Sequence, residues 1–352
     1  MGYQIQKDES RRYDALKMLM CVFVLVIHAF SDDFRGVGWT KLGTAYHITY
    51  IVSRMVCDCA VPMFIVMSSV LLYAKPFSWW GNVKKKCRSL LVPYLIFNSL
   101  WVVLMFVKHV LGQKLGIVAG DDIAFSTYSL FDWLDAFLGL TGDYKPLLTT
   151  LWYVRDLFIL NVLATPLRKL IDRMPVPMLV LTLVLWFGDI HIPGIQDYSL
   201  PFFILGYYLV KYGIHFQDLD RKLPVGLVLA AYLLSLFVVV LLQRQSFALR
   251  AHLLVAVVFW ILCSRYLVRC TKLIDLIAPA SFFIYLSHRF IYAIIQVVMD
   301  GSLLVYLIAY ILKPVCALAV LLGVFYFLKR FLPGLLEVLV GGRGRKVRKE
   351  VL

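Results

Sequence analysis

The sequence predicts an all-α, polytopic integral membrane helical bundle of about ten transmembrane helices with no soluble domain. Three observations carry that expectation. Hydrophobic residues are 61% of the 352-residue chain and charged residues only 16%, against roughly 45–50% apolar and about 25% charged in a soluble domain. Mean hydropathy is +0.82. The apolar residues fall into long runs, and a spanning helix needs about 20 of them. A water-facing surface cannot hide this excess, so disorder and a disulfide scaffold are excluded.

The expected spans are residues 15–30, 46–74, 90–111, 150–167, 176–190, 200–212, 224–242, 249–268, 277–299 and 303–328. The first run follows a basic stretch, as a signal peptide would. It lacks a small-residue cleavage site and further spans follow, so it is read as a retained helix. The second is long for one helix and carries Pro62, which predicts a tilted or interfacial start and a turn into the membrane near that proline. The fifth and sixth are short, so one is expected to be broken or strongly tilted. Residues 1–14 are read as a cytoplasmic segment, 15–330 as the membrane domain and 331–352 as a basic cytoplasmic tail. The loop 112–149, aromatic and holding Asp121, Asp122, Asp132, Asp135 and Asp143, is expected to be partly ordered.

The net charge of +15 does not indicate nucleic acid, because of where it sits. With the N-terminus inside, 24 of the 36 lysines and arginines fall in inside segments and 7 in outside ones. That split places both termini in the cytoplasm. The basic loops then face anionic lipid headgroups or an anionic cytosolic ligand. The seven cysteines show no framework spacing, and the isolated Cys57-x-Cys59 pair is too close for a zinc site. They read as buried small hydrophobes, and no metal is expected.

Ionisable residues inside spans are costly and face polar cavities or partners. The first run carries Asp14, Lys17, Cys21 and His28, which fall near one stripe of a helix. Arg54 and Asp58, at i and i+4, are expected to pair. Trp152, Arg155 and Asp156 open the fourth run, where Asp156 is the natural counter-ion of Arg155. In the ninth, Ser281, Tyr285, His288 and Arg289 share a face. His28, His288, Arg54 and Arg155 all come at similar depth, so one shared polar cavity open to the outside is expected. His47, His109, His191, His215 and His252 are read as structural.

These segments resemble acyltransferase family 3, a family of membrane proteins. YDALKMLMCVFVLVIH is similar to the family's first helix, in which a basic residue precedes a histidine by eleven positions, with Lys17 where the family usually has Arg. VPMFIVMSSVLLY follows, with Ser69 where Gly is common. KKKCRSLLVPYLIFN, LWYVRDLFIL, FFILGYYLVK and ASFFIYLSH then match in order over nearly the whole chain. The resemblance implies transfer of an acyl group, commonly acetyl, from coenzyme A to a hydroxyl of a cell-surface carbohydrate or lipid-linked sugar. Acyl-CoA, acetyl-CoA above all, would be the co-substrate, in a multi-pass protein of the bacterial cytoplasmic membrane.

The residues suit that chemistry. A neutral imidazole can take the proton of a sugar hydroxyl during attack, which assigns His28 as general base. Lys17 and Asp14 complete the catalytic stripe. Arg155, His288 or a backbone N–H would face the oxyanion, and Arg54, Asp58, Trp152, Asp156, Ser281 and Tyr285 would line the substrate site. Lys84, Lys85, Lys86 and Arg88 can hold the coenzyme's phosphates, with the pantetheine arm threading past Lys17. Direct attack and an acyl-histidine intermediate both remain open. A second reading is a carrier or exporter of a polysaccharide or lipid-linked glycan, in which His28 and Arg155 relay protons or substrate.

Overall fold

A backbone in hydrocarbon must satisfy its own hydrogen bonds, which leaves helices for a chain of this composition. In the computed structural model the described residues are 3–30, 41–115, 127–141, 145–192, 194–298 and 303–343. Among them every regular element is helical: α1 (Lys7–Ala29), α2 (Lys41–Ile51), α3 (Ala60–Tyr73), α4 (Trp79–Lys86), α5 (Val92–Leu115), α6 (Leu130–Leu138), α7 (Trp152–Val162), α8 (Ala164–Arg173) and α9 (Pro175–Phe187). There follow α10 (Ser199–Lys211), α11 (Phe216–Lys222), α12 (Val225–Leu241), α13 (Ser246–Leu267), α14 (Thr271–Ile277), α15 (Ser281–Val298), α16 (Leu303–Phe331) and α17 (Pro333–Leu339). Asp121, Asp122, Asp143 and the tail from residue 344 lie outside the described residues.

Each run expected to span is helical over most of its described residues. Five helices are long and apolar enough to cross a membrane: Gly43–Tyr73, Trp79–Val110, Ser246–Leu267, Thr271–Ile295 and Val305–Phe331. The number rises to seven if α8 with α9, bent by 118°, and α11 with α12, bent by 93°, each count as one span. α1 falls outside this group because Arg12, Asp14 and Lys17 interrupt its apolar run. α12 exposes Leu227, Leu233, Leu234, Phe237 and Leu241, each more than half accessible, an apolar face suited to lipid.

The chain divides into two compact units, the first made of Met1–Phe77, Pro166–Ile190 and Asp197–Phe327. In it α1 packs against α3, α13, α14 and α15. Its charged start is held inside the protein. Arg12 is buried, donating to Asp220 Oδ2 (2.6 Å), Ser264 Oγ (2.7 Å) and the Ile261 carbonyl (2.6 Å). Glu9, also buried, accepts from Tyr3 Oη at 2.8 Å and sits 2.8 Å from His215 Nδ1. The residues read as a cytoplasmic segment therefore belong from Lys7 onward to the first helix. In the second run the helix is interrupted at the π turn Val52–Val56 and the 3-10 turn Cys57–Cys59, ahead of Pro62. Pro62 sits in the first turn of α3, where a missing N–H costs nothing. Ser53 Oγ reaches the Val26 carbonyl at 3.1 Å and Tyr310 Oη at 2.8 Å, and Thr49 Oγ1 meets Tyr306 Oη at 2.7 Å. Two hydroxyls at i and i+4 thus meet two tyrosines at i and i+4 on α16. Cys21, Cys57 and Cys59 are buried free thiols, as expected, whereas Cys270 is exposed.

The second unit is made of Ser78–Thr165, His191–Gln196 and Leu328–Leu352. α6 starts in a capping box between Ser129 and Asp132 and ends at Gly139, φ +60°. Asp135 accepts from Thr141 Oγ1 (2.6 Å) and from the Thr141 and Leu140 N–H groups, and these bonds hold its carboxyl below the usual carboxylate range. Asn98 on α5 clamps the same segment, donating to Ala136 O and accepting from Leu148 N. These bonds hold the described residues of this segment in place of water. The run 150–167 is split at Leu163 between α7 and α8.

α3 and α10 approach closely at small residues. Ser69 Oγ donates to the Phe203 carbonyl at 2.6 Å, and a Cβ on Gly206 would lie 2.5 Å from Ser69 Cβ and 2.7 Å from the Val66 carbonyl. Close approach of small residues is how membrane helices gain packing without a hydrophobic drive. Gly206→Ala is expected to lower stability by about 1–3 kcal/mol through overpacking. Gly226→Ala, where a Cβ meets nothing within 4 Å, serves as the neutral control. Thermal unfolding of both variants in detergent measures the difference, and equal melting temperatures would refute the close-packing account.

Candidate functional site

The stripe on α1 faces α15. Cys21 Sγ lies 4.0 Å from the Ser281 carbonyl, Tyr292 Oη donates to Leu25 O at 2.7 Å, and the His28 and His288 rings have centroids 5.1 Å apart. Ser281, Tyr285 and His288 are all buried, His288 completely, while His28 is partly accessible. The aromatic rings of Tyr285 and Tyr292 lie 6.1 and 5.8 Å from that of His288. Arg54 and Arg289 are the cationic neighbours of His28. Tyr292 is a site residue that sequence reading missed, although its i+4 spacing from His288 would have exposed it.

His288 has a defined hydrogen-bonding state. Its Nδ1 lies 2.8 Å from the Tyr285 carbonyl and 3.2 Å from the Ile284 carbonyl. Carbonyl oxygens only accept, so Nδ1 carries the proton and the neutral ring keeps its lone pair on Nε2. That Nε2 is buried and has no partner among the described residues. In this state His288 accepts and does not donate toward the site.

At the stripe's other end Lys17 Nζ pairs with Asp14 Oδ1 at 2.9 Å, and both are partly accessible. Eleven residues of helix separate Lys17 from His28 by about 16 Å, more than a lysine side chain spans. The two cannot act on one reacting atom.

The expected Arg54–Asp58 pair does not form. The π turn followed by a 3-10 turn breaks the i, i+4 relation between them. Asp58 instead accepts from Arg244 at 2.6 Å, and the Arg54 guanidinium stacks over Phe30 at 5.6 Å. Arg244 is 186 residues from Asp58, and no local pattern announces it. An exchange of charges tests the pair. Arg244→Asp or Asp58→Arg alone is expected to lower thermal stability, and the double variant to recover most of the loss. Additive losses would exclude a direct pair.

Trp152, Arg155 and Asp156 belong to the second unit, so the four charges expected to share a cavity divide between units. Asp156 is the counter-ion of Arg155, at 2.8 Å from Nη2 and 3.1 Å from Nε. Arg155 Nη1 donates to the Leu138 and Gly139 carbonyls at 2.8 and 3.0 Å, capping α6. Asp156 Oδ2 accepts from Gln196 N at 2.7 Å. These donors are engaged in holding the fold. Trp152 is partly accessible beside Tyr153.

The basic loop is also in the second unit. Lys84, Lys85 and Lys86 form the last turn of α4, where cations suit the helix dipole, and Ser78 caps its start. Lys84, Lys85 and Arg88 are exposed and Lys86 is partly buried. Arg88 pairs with Glu337 on α17 at 2.9 Å. The turn after α17, with Gly341 and Gly342 at positive φ, brings Arg343 close enough to Lys86 for their charges to repel. Arg343 lies in the segment that the sequence marks only as a basic tail.

Comparison with known proteins finds similarity over most of the length of the chain. The chain is 25% identical over 364 aligned positions to the "Succinoglycan biosynthesis protein ExoH" of Rhizobium meliloti (strain 1021), covering 95% of this chain and 92% of the relative. No solved structure matches. The model of the family described as "Acyltransferase domain" matches residues 11–330. That match runs from the α1 stripe through the α15 histidine to the end of α16, and the chain belongs to acyltransferase family 3.

Proposed function

We propose that this protein is a membrane O-acyltransferase that moves an acyl group, acetyl in the simplest case, from acyl-CoA to a hydroxyl of a polysaccharide or lipid-linked sugar. The observation that carries the reading is the pair of histidines facing each other across α1 and α15, inside a chain of an acyltransferase family. A relative named for succinoglycan biosynthesis supports a polysaccharide as acceptor. The setting is a bacterial cytoplasmic membrane, crossed about ten times with both termini inside, supported by the basic-residue count and by helices over every apolar run.

His28 is the general base. Its ring takes the proton of the acceptor hydroxyl as the oxygen attacks the thioester carbonyl. Collapse of the tetrahedral intermediate breaks the carbon–sulfur bond, and the same proton goes to the leaving thiolate. Arg54, beside His28, supplies positive charge for the oxyanion, whereas the donors of Arg155 are already occupied. Asp58, Ser281 and Tyr285, all in the first unit, line the acceptor. The Asp14–Lys17 pair serves the far end of the stripe, away from the reacting carbon. Lys84, Lys85, Lys86 and Arg88 hold the donor's phosphates. Nothing in this scheme requires a metal.

The test is release of free coenzyme A from acyl-CoA in proteoliposomes supplied with acceptor glycan. A carrier has no reason to consume the thioester. His28→Ala is expected to lower kcat by about 10²–10⁴ while yield, monodispersity and donor binding stay near wild type. A folded variant keeping more than about a tenth of wild-type kcat lies outside that range and removes His28 as base.

The combined Lys84→Ala, Lys85→Ala and Arg88→Ala variant is expected to raise KM for acyl-CoA more than it changes kcat. Phosphate contacts are remote from the reacting carbon and bind ground and transition states alike. Unchanged donor affinity would leave these residues a purely topological role.

A further inference from the structure

We propose that His288 is the positioning residue of His28: its Nε2 accepts a hydrogen bond from one nitrogen of the His28 ring and so fixes which nitrogen of His28 is free to take a proton. The proposal rests on the acyl-transfer reading for its consequence in rate, and on the geometry alone for the tautomer.

A histidine base works only when one ring nitrogen holds a proton and the other points a lone pair at the substrate. In water the two tautomers exchange, and a group that holds the proton on one nitrogen removes the ambiguity. Carboxylates usually do this work. A carboxylate here would place a full negative charge deep in the bilayer, where ionised groups are costly. A neutral acceptor does the same at lower cost, provided that its own tautomer is settled.

His288 meets that condition. The Tyr285 and Ile284 carbonyls, at 2.8 and 3.2 Å, hold its proton on Nδ1. Both are backbone groups one helical turn back on α15, so this lock is built into the helix. The lone pair on Nε2 is left buried and without a partner among the described residues, and an unpaired buried acceptor carries a desolvation cost. The neighbouring ring is His28, centroid to centroid 5.1 Å and tilted by 34°. At that spacing a rotation of the His28 ring or one bridging water closes the contact, and catalytic hydrogen bonds are often long before substrate binds. Tyr285 and Tyr292 wall the His288 ring, and the Tyr292 hydroxyl is committed to Leu25 O. Once closed, the chain runs from the α15 carbonyls through Nδ1–H and Nε2 of His288 to an N–H of His28. The other His28 nitrogen is then the free acceptor.

Two substitutions separate this role from others. His288→Asn retains a donor at the position of Nδ1 but has no atom at that of Nε2. His288→Gln can place its carbonyl oxygen at Nε2. Loss of an orienting group costs about 10–10² in activity, so His288→Asn is expected to lower kcat by that factor with KM for acyl-CoA within about twofold of wild type. His288→Gln is expected to restore kcat to within about fivefold, since amide oxygen and imidazole nitrogen are both acceptors. In parallel, ¹⁵N-histidine NMR of protein in lipid, assigned by difference with the His28→Ala and His288→Asn variants, reads the tautomers without turnover. His28 is expected to show one tautomer in wild type and in His288→Gln and a mixture in His288→Asn. A single unchanged His28 tautomer in all three proteins overturns the proposal. So does a Gln variant as slow as the Asn variant, because His288 would then be exchanging a proton itself. If the wild type consumes no thioester while the tautomer of His28 still depends on residue 288, the acyl-transfer reading fails and the positioning role stands.

Discussion

A polar group buried away from water must find its partner inside the protein, and the described structure supplies partners for the charged groups at the start of α1. Arg12 is held by a carboxylate, a hydroxyl and a backbone carbonyl drawn from α11 and α13. Glu9 engages Tyr3 and His215. Asp14 and Lys17 satisfy each other. Removing Arg12 or Glu9, both buried, leaves their partners unpaired, which costs more than the interaction itself contributes. The helix carrying His28 is thereby fixed at its start, and helical rise does the rest, delivering His28 to the opposite end.

Beyond Lys17 the stripe has few polar groups, and there α1 meets α15. Cys21 faces a backbone carbonyl and Leu25 offers its own to Tyr292. His288 is one of the buried groups with an atom left unpaired among the described residues. His288 spends its donor on its own helix and keeps its acceptor unspent. An unpaired buried acceptor carries a desolvation cost, which a water, a ligand or a neighbouring donor can relieve. Arg155 shows the opposite case. It is as charged and as deeply placed in the sequence pattern, yet its donors are taken by Asp156 and by the end of α6.

One departure from regular helix and one close approach of regular helices shape the packing. The π turn at Val52–Val56 lets Ser53 reach both α1 and α16 and turns Arg54 toward Phe30. The small residues Ser69 and Gly206 let α3 and α10 meet nearly backbone to backbone. In each case side chains adjust at a place where the backbone is allowed to move off its ideal path or to come unusually close.

The sequence by itself determined the helical membrane architecture, the position of every apolar run and the family. It also determined that Asp14, Lys17, Cys21 and His28 lie near one face, and that Ser281, Tyr285 and His288 share another. These follow from composition and from the fixed 100° step of the helix. Only the tertiary structure decided which faces meet. It paired Asp58 with Arg244 rather than Arg54, set Arg155 to capping a loop segment, brought the α17 turn to the basic loop and placed His28 against His288. The physical reason is that periodicity acts over one or two turns, whereas these partners are separated by as many as 260 residues. Their meeting depends on how helices pack and where a helix is interrupted. Neither a π turn nor the choice of a neighbouring helix is written in the spacing of residues along one segment.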